Sequence, residues 1–171
     1  LIACYGDPGL YAAKEICDCP VLGIAETSIA MSFLLGNRFS ILAASEKAVP
    51  MMEHMVAQYG MDHRLAGVFP LNMSVLDAEA NRGETVSRLI EEGKKAVSKG
   101  AEVLILGCAG MTGFGGPVSQ ALGIPVMDPV ETSFLTLEMM CRGGFKTSKN
   151  GLYKPPGKKR IKREYLLTEN I

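Results

Sequence analysis

A cysteine turn is spelled twice in this chain, and the repetition restricts the fold more than any other feature. Leu1-Ile2-Ala3-Cys4-Tyr5-Gly6 and Leu104-Ile105-Leu106-Gly107-Cys108-Ala109-Gly110-Met111 share an apolar run, a cysteine, one further residue and a glycine. A second matched stretch follows each at almost the same distance. Pro20-Val21-Leu22-Gly23-Ile24-Ala25-Glu26-Thr27-Ser28 stands behind the first and Pro125-Val126-Met127-Asp128-Pro129-Val130-Glu131-Thr132-Ser133 behind the second, with 22 positions from Cys4 to Glu26 and 23 from Cys108 to Glu131. Each copy reads as strand, cysteine turn, helix, Pro-Val strand and a helix opened by Glu-Thr-Ser. Two related lobes, each offering one thiol to a shared cleft, are the simplest architecture with this pattern.

The stretches between the copies fill in an α/β chain. Leu1 to Ala3 reads as a buried strand, Asp7-Pro8 as a helix start with Asp7 as its own N-cap, and Val21 to Ile24 as the next strand. Glu26 opens a helix expected to bury Ile29, Ala30, Phe33 and Leu34 before Gly36 stops it. Phe39 to Ala44 is nearly all apolar, as a strand covered on both faces requires. Ser45-Glu46 caps a helix with Met52, Val56 and Tyr59 inward, Leu65 to Phe69 is a strand, and 71–82 lacks periodicity and reads as loop with a short helical turn. A helix over 84–99, a strand over 103–106, a short helix over 117–122, a strand at 126–127 and a helix over 131–141 complete the chain. Strands alternating with helices at this spacing make βαβ units and a parallel sheet. The expected division is residues 1–25 as the remnant of a truncated N-terminal lobe, 26–129 as a complete α/β lobe, 130–145 as a helix returning to the first lobe, and 146–171 as a basic tail.

Composition removes several alternatives. At 171 residues and 47% hydrophobic content the chain can bury a core. The most apolar stretch, Pro20 to Gly36, is interrupted by Glu26, Thr27, Ser28 and Ser32, so no membrane partner is expected, and with no charged leader the cytoplasm is the default. The odd number of cysteines (4, 17, 19, 108 and 141) favours free thiols over a disulfide framework. Cys17-Asp18-Cys19 has no second pair to make a zinc site, so no metal is expected. From Lys146 onward eight Lys and Arg face only Glu164 and Glu169, but aromatic residues do not interleave with them; a solvated extension is the expectation, and no nucleic-acid partner.

Both repeated cysteines fall just after apolar strand residues and before a turn into helix. Open parallel sheets collect ligands at such carboxyl ends. Gly6, Gly107 and Gly110 would let a ligand approach the backbone and leave N–H groups facing an anion. A free thiol ionises at about pH 8.5 and more readily near a helix N-terminus, which suits a general base. For Cys17, Cys19 and Cys141 the bland expectation of small buried hydrophobes stands. For Cys4 and Cys108 the retention of sulfur while neighbours diverge (Tyr5 against Ala109, Asp7 against Met111) suggests a symmetric task needing two thiols: taking a proton from one face of a carbon and returning one to the other. A cysteine hydrolase is disfavoured, because His54 and His63 both sit at or just after the helix of 46–59, where surface positions are expected.

Cys4-Tyr5-Gly6-Asp7-Pro8-Gly9, Gly23-Ile24-Ala25-Glu26, Gly107-Cys108-Ala109-Gly110-Met111 and the later Thr147-Ser148-Lys149 with Tyr153 and Pro155-Pro156 resemble the hydantoin/allantoin racemase branch of the aspartate/glutamate racemase superfamily. The resemblance extends to about Pro156. It implies two pseudo-symmetric Rossmann- or flavodoxin-like lobes with the active site between them, no cofactor, a small hydantoin-like or amino-acid-like substrate and a homo-oligomer. Carried onto this sequence, it makes Cys4 and Cys108 the acid/base pair. Tyr5, Gly6, Gly107, Ala109 and Gly110 then contact the substrate through the backbone, with Ala44 and Ser45 at the end of the Phe39 strand. Relatives carry further strands and helices before the first cysteine, and hydroxyl side chains where this chain has Ala43-Ala44. Amino-acid racemisation or a related isomerisation or decarboxylation is the alternative within the superfamily. A non-catalytic binding module is the alternative outside it.

Overall fold

Four parallel strands form the sheet of the computed structural model, which describes residues 1–157. β1 (Phe39–Ala43), β2 (Leu65–Pro70), β3 (Val103–Leu106) and β4 (Val126–Met127) lie in the order β2-β1-β3-β4. The two central strands are buried along their whole length. Alternate side chains of each serve opposite faces. Ile41, Ala43, Val103 and Ile105 join one cluster with Met52 and Val56, while Leu42, Leu104 and Leu106 join another with Leu89, Phe114 and Val118. A strand that must satisfy apolar layers above and below carries no polar alternation, which is why both read as hydrophobic runs broken only by Ser40.

Helices α1 (Leu10–Ile16), α2 (Ile24–Leu35), α3 (Val49–Gln58), α4 (Val75–Ala80), α5 (Arg82–Ser98), α6 (Gly115–Leu122) and α7 (Pro129–Arg142) surround this sheet. α4 lies where only an irregular segment with one helical turn is expected. Its signal is a serine N-cap with an acidic residue at the third helical position: Ser74 Oγ accepts from the Asp77 N–H at 3.1 Å and donates to the Asp77 carboxylate at 2.6 Å. The sequence around it has no apolar stripe, so periodicity alone does not show it.

The first copy of the repeat departs from its expected strands. Leu1 to Ala3 and Val21 to Ile24 reduce to a single parallel bridge between Ile2 and Gly23, and Leu1 is 42% exposed. α2 starts at Ile24, two residues before the expected Glu26, and turns a different face inward. Ile24, Ala25, Thr27, Ser28, Ile29 and Ser32 are buried, whereas Ala30, Phe33 and Leu34 are exposed, correcting the expected core face. Burying three hydroxyls costs little here because each donates back to its own helix, Thr27 to the Gly23 carbonyl at 2.7 Å, Ser28 to Ile24 at 2.6 Å and Ser32 to Ile29 at 2.7 Å. α2 packs against α7 and β3.

Asp7 does not cap α1. That helix has Gly9 at its N-cap, with φ 74°, and Asp7 itself has φ 45°. Its buried carboxylate reaches instead to the start of α2, accepting from the N–H groups of Ala25 at 3.1 Å and Glu26 at 2.7 Å. Gly23 makes this possible, because a Cβ there would fall 2.1 Å from the Asp7 carboxyl carbon. Lys14 and Glu26 pair at 2.6 Å beside it. The segment after Lys146 is not merely solvated. Lys149 Nζ donates to the carbonyls of Lys14 (2.6 Å), Glu15 (3.0 Å) and Cys17 (2.7 Å) at the end of α1, and Tyr153 meets Tyr11 edge-on at 5.9 Å. Lys158, Lys159, Arg160, Lys162 and Arg163, the rest of the basic run, lie outside the described residues.

Two outcomes follow from the Asp7 cap. Asp7→Gly is expected to cost about 1–2 kcal/mol through the lost cap, and Gly23→Asp alone at least about 2 kcal/mol because two carboxylates compete for one space. The double variant, which moves the carboxylate to the local N-cap, should cost less than the sum by at least about 1 kcal/mol in urea denaturation. Burial raises the Asp7 pKa above its ordinary 3.8, against the opposing pull of the Glu26 and Ala25 N–H groups. The folded state therefore holds this proton more tightly than the unfolded one, and the associated stability, present below pH 3.8, is lost as pH rises through the raised value. In Asp7→Asn protein that part of the stability–pH curve should be absent.

Candidate functional site

The order of the strands places the site. β1 continues to β2 on one side and has β3 on the other, so the sheet reverses its winding between β1 and β3. Leu42 is paired with Leu106, and two positions further along each strand stand Ala44 and Cys108. Open α/β sheets bind ligands at such a reversal. Cys108 is half-buried there and opens a short 3-10 turn, Ala109–Met111, closed by the Met111 N–H on the Cys108 carbonyl at 3.0 Å. Cys4 is exposed and opens a similar turn, closed by the Asp7 N–H on the Cys4 carbonyl at 2.9 Å.

Both turns leave the donors just after the cysteine without a protein partner among the described residues: Tyr5 and Gly6 on one side, Ala109 and Gly110 on the other. Backbone N–H groups left free at the first turn of a helix-like segment attract negative charge. Gly107 differs from its expected role. Its N–H donates to the Leu42 carbonyl at 2.8 Å and is not free for a ligand, and a Cβ on it would lie 2.8 Å from that same oxygen. Glycine is required there by the close approach of β3 to β1, a packing role.

The two turns converge on one end of α3. A Cβ on Gly6 would lie 3.6 Å from Met51 Sδ, and one on Gly107 3.1 Å from Met52 Cε. Tyr5 and Ala109, the residues that follow the two cysteines, pack in the same apolar cluster. Tyr5 is buried, and its hydroxyl, near Ser28, has no hydrogen-bond partner; burial pushes its pKa up, so it remains neutral. Its ring anchors the turn, and only its backbone can face a ligand.

Ala44 is half-buried and Ser45 exposed at the end of β1. Ser45 makes no side-chain cap; the Glu46 N–H is taken by Asn72 Oδ1 at 3.0 Å, leaving the Ser45 hydroxyl open. Ala44 and Cys108 wall a common pocket with Leu71, Met73 and Met111, of only about 10 Å³. That holds roughly one water, so a ring-sized ligand must meet Cys108 from its open side. A wider pocket of about 280 Å³, lined by Gly6, Asp7, Tyr11, Met55 and Tyr59 among others, lies between α1 and α3 beside the Cys4 turn.

Other expected assignments fare differently. Cys19 and Cys141 are exposed and Cys17 is half-buried, so none is a buried hydrophobe. Cys17 is the C-cap of α1, Cys19 follows it by two residues, and Cys141 lies in the last turn of α7. His54 and His63 are exposed, as expected. Among the described residues no three His, Cys, Asp or Glu side chains are grouped to hold a metal, and no helix is long and apolar enough to cross a membrane.

Two buried aspartates lie beside the cysteine turns: Asp7, which sequence reasoning assigned to the wrong helix, and Asp128, which it missed. Asp128 caps α7, accepting from Val130 at 3.0 Å and Glu131 at 3.2 Å, and also takes the Gly113 N–H at 2.8 Å from the Cys108 side. Aligning the two copies sets Asp128 opposite Gly23 and Asp7 opposite Met111. An N-cap glycine where the sister helix has aspartate is the signal that the first copy takes its cap from elsewhere.

The Asp/Glu/Hydantoin racemase family model matches residues 1–135. Hydantoin racemase from Pseudomonas sp. (strain NS671) is 42% identical over 160 residues, 93% of this chain and 64% of that protein; the one from Paenarthrobacter aurescens is 39% identical over 93% of this chain and 68% of its own length. The crystal structure of allantoin racemase from Pseudomonas fluorescens superposes with a TM-score of 0.88 at 30% identity, covering 93% of this chain and 68% of that one. Allantoin racemase from Klebsiella pneumoniae gives 0.87 at 33%, over 94% and 66%. The chain thus spans about two thirds of the length of these relatives. A parallel α/β sheet with Cys108 at its reversal, a family model matched over residues 1–135 and relatives at 42% and 39% identity together mean that the chain belongs to the Asp/Glu/hydantoin racemase family.

Proposed function

We propose that this chain carries the two-cysteine centre of a racemase that inverts a carbon next to a carbonyl, with a 5-substituted hydantoin or allantoin as substrate. The observation that carries the reading is the convergence of two alike turns, each a cysteine followed by two free N–H groups, on the N-terminal end of α3. One cysteine, as thiolate, takes the α-hydrogen as a proton. The C–H electron pair moves onto the carbonyl as an enolate, and the other cysteine, as thiol, delivers its own proton to the opposite face. Protons and electrons balance without a redox partner, and the two sulfurs exchange roles after each inversion. The free N–H groups of Tyr5, Gly6, Ala109 and Gly110 supply the electrostatic stabilisation that an oxyanion needs.

Substrate choice follows from what such a centre can and cannot supply. In a hydantoin, carbonyl and ring nitrogen both acidify the carbon, lowering the barrier that two thiols must overcome. At the end of β1, Ala43 and Ala44 offer no hydroxyl, and the open Ser45 hydroxyl is the side-chain donor nearest along the chain.

In deuterated water the protein should exchange the α-hydrogen of 5-benzylhydantoin and interconvert its enantiomers. Cys4→Ser and Cys108→Ser are each expected to lower inversion by at least about a thousandfold, since half of an acid/base pair is lost. Both cysteines reach solvent, so melting temperatures should stay within the range of ordinary surface changes. Inversion that persists in either variant would remove the two-thiol mechanism.

A further inference from the structure

Each cysteine turn is tied to the start of a helix by one buried carboxylate, and the two ties are built in opposite directions. On the first side the carboxylate belongs to the turn. Asp7, whose N–H holds the Cys4 carbonyl at 2.9 Å, extends its side chain to the Ala25 and Glu26 N–H groups at 3.1 and 2.7 Å, with the Tyr59 hydroxyl at 3.5 Å. On the second side the carboxylate belongs to the helix. Asp128 caps Val130 and Glu131 and takes the Gly113 N–H at 2.8 Å; the neighbouring Thr112 bonds the Ala109 carbonyl through both its N–H (3.1 Å) and its hydroxyl (2.8 Å), which carries the tie back to the residue after Cys108.

A helix cap requires no such reach, since a Ser, Thr, Asp or Asn in place of Gly23 would supply it locally. Asp128 likewise would cap α7 without touching the Cys108 side. What both arrangements add is a fixed separation between a cysteine turn and a helix N-terminus. We propose that Asp7 and Asp128 are positioning residues, one for each thiol: Asp7 for Cys4 and Asp128 for Cys108. The assignment rests on the two-cysteine reading above.

A cysteine sulfur has three staggered positions about the one bond that carries it, and each of them moves with the turn backbone. Proton transfer needs the reacting atoms about 3–3.5 Å apart, and a shift of about 1 Å costs on the order of a hundredfold. Each enantiomer presents its α-hydrogen to one cysteine, so disturbing one turn slows removal from one enantiomer only. Because the enantiomers are equally stable, kcat/KM must fall alike in both directions. The imbalance appears instead in the primary isotope effect, which grows for the enantiomer whose hydrogen the disturbed cysteine removes.

The test uses α-protiated and α-deuterated enantiomers of 5-benzylhydantoin, with Cys4→Ser protein showing which enantiomer depends on which sulfur. Asp7→Asn and Asp128→Asn should each lower turnover by about ten- to a hundredfold. Asp7→Asn should raise the isotope effect for the enantiomer served by Cys4, and Asp128→Asn for the other. Val118→Ala, a core truncation in α6, should lower the melting temperature and move neither isotope effect. Asp128→Ser keeps a hydroxyl cap on α7 but is too short to hold Gly113, and separates the two roles if Asp128→Asn does not fold. Equal changes for both enantiomers, or none, in a folded variant overturn the assignment while leaving the racemase reading intact. A wild-type protein that inverts neither enantiomer overturns that reading and this assignment with it.

Discussion

A buried carboxylate at a helix start is the interaction on which this structure turns. Removing a carboxylate from water is expensive unless donors meet it. Helix N-termini offer such donors already aligned, and with a partial positive charge. Asp7 and Asp128 each accept two N–H groups of this kind, and each also joins a cysteine turn to α2 or α7. The two helices pack on one another, so the pair of ties relates the turns through a common support.

The reciprocal placement of the two carboxylates bears on how the duplicated pattern is built. A tie needs one carboxylate in the space between turn and helix, and either side can provide it. Providing it from both sides would force two negative groups together, as the 2.1 Å approach of a Cβ on Gly23 to Asp7 makes plain. Aspartate opposite glycine in the first copy and aspartate opposite methionine in the second are two solutions of one steric and electrostatic problem. Side-chain identity diverges while the interaction is kept.

Much of the fold can be read from residue patterns because the central sheet imposes strong ones. β1 and β3 are buried on both faces and are apolar throughout except for Ser40; the two-turn spacing of Leu89 and Ala96 likewise marks α5. The N-terminal region misleads for a related reason. Phe33, Leu34 and Leu35 have the apolar character of a buried face but are 52%, 68% and 49% exposed, while serines and threonine of the same helix point inward and satisfy themselves on its carbonyls. Hydrophobicity ranks residues by transfer cost, and a hydroxyl bonded to its own helix no longer bears that cost. α4 is legible only through Ser74 and Asp77, and Asp7 only through its absent counterpart at Gly23.

Residue type alone singles out Cys4 and Cys108 as the candidate pair, because sulfur is repeated there and at no other matched position. What it does not convey is the difference between glycines whose N–H stays free and one whose N–H and missing side chain serve packing. Gly107 sits in the same motif as Gly110, yet its N–H is already bonded to Leu42 and its missing side chain accommodates β1. Ala109 and Gly110, one turn further along, keep their donors free because the 3-10 turn that begins at Cys108 has no preceding turn to occupy them. The strand end therefore fixes the cysteine, and the helical turn after it exposes the donors. A thiol and two free backbone donors come from one short segment, and the chain contains that segment twice.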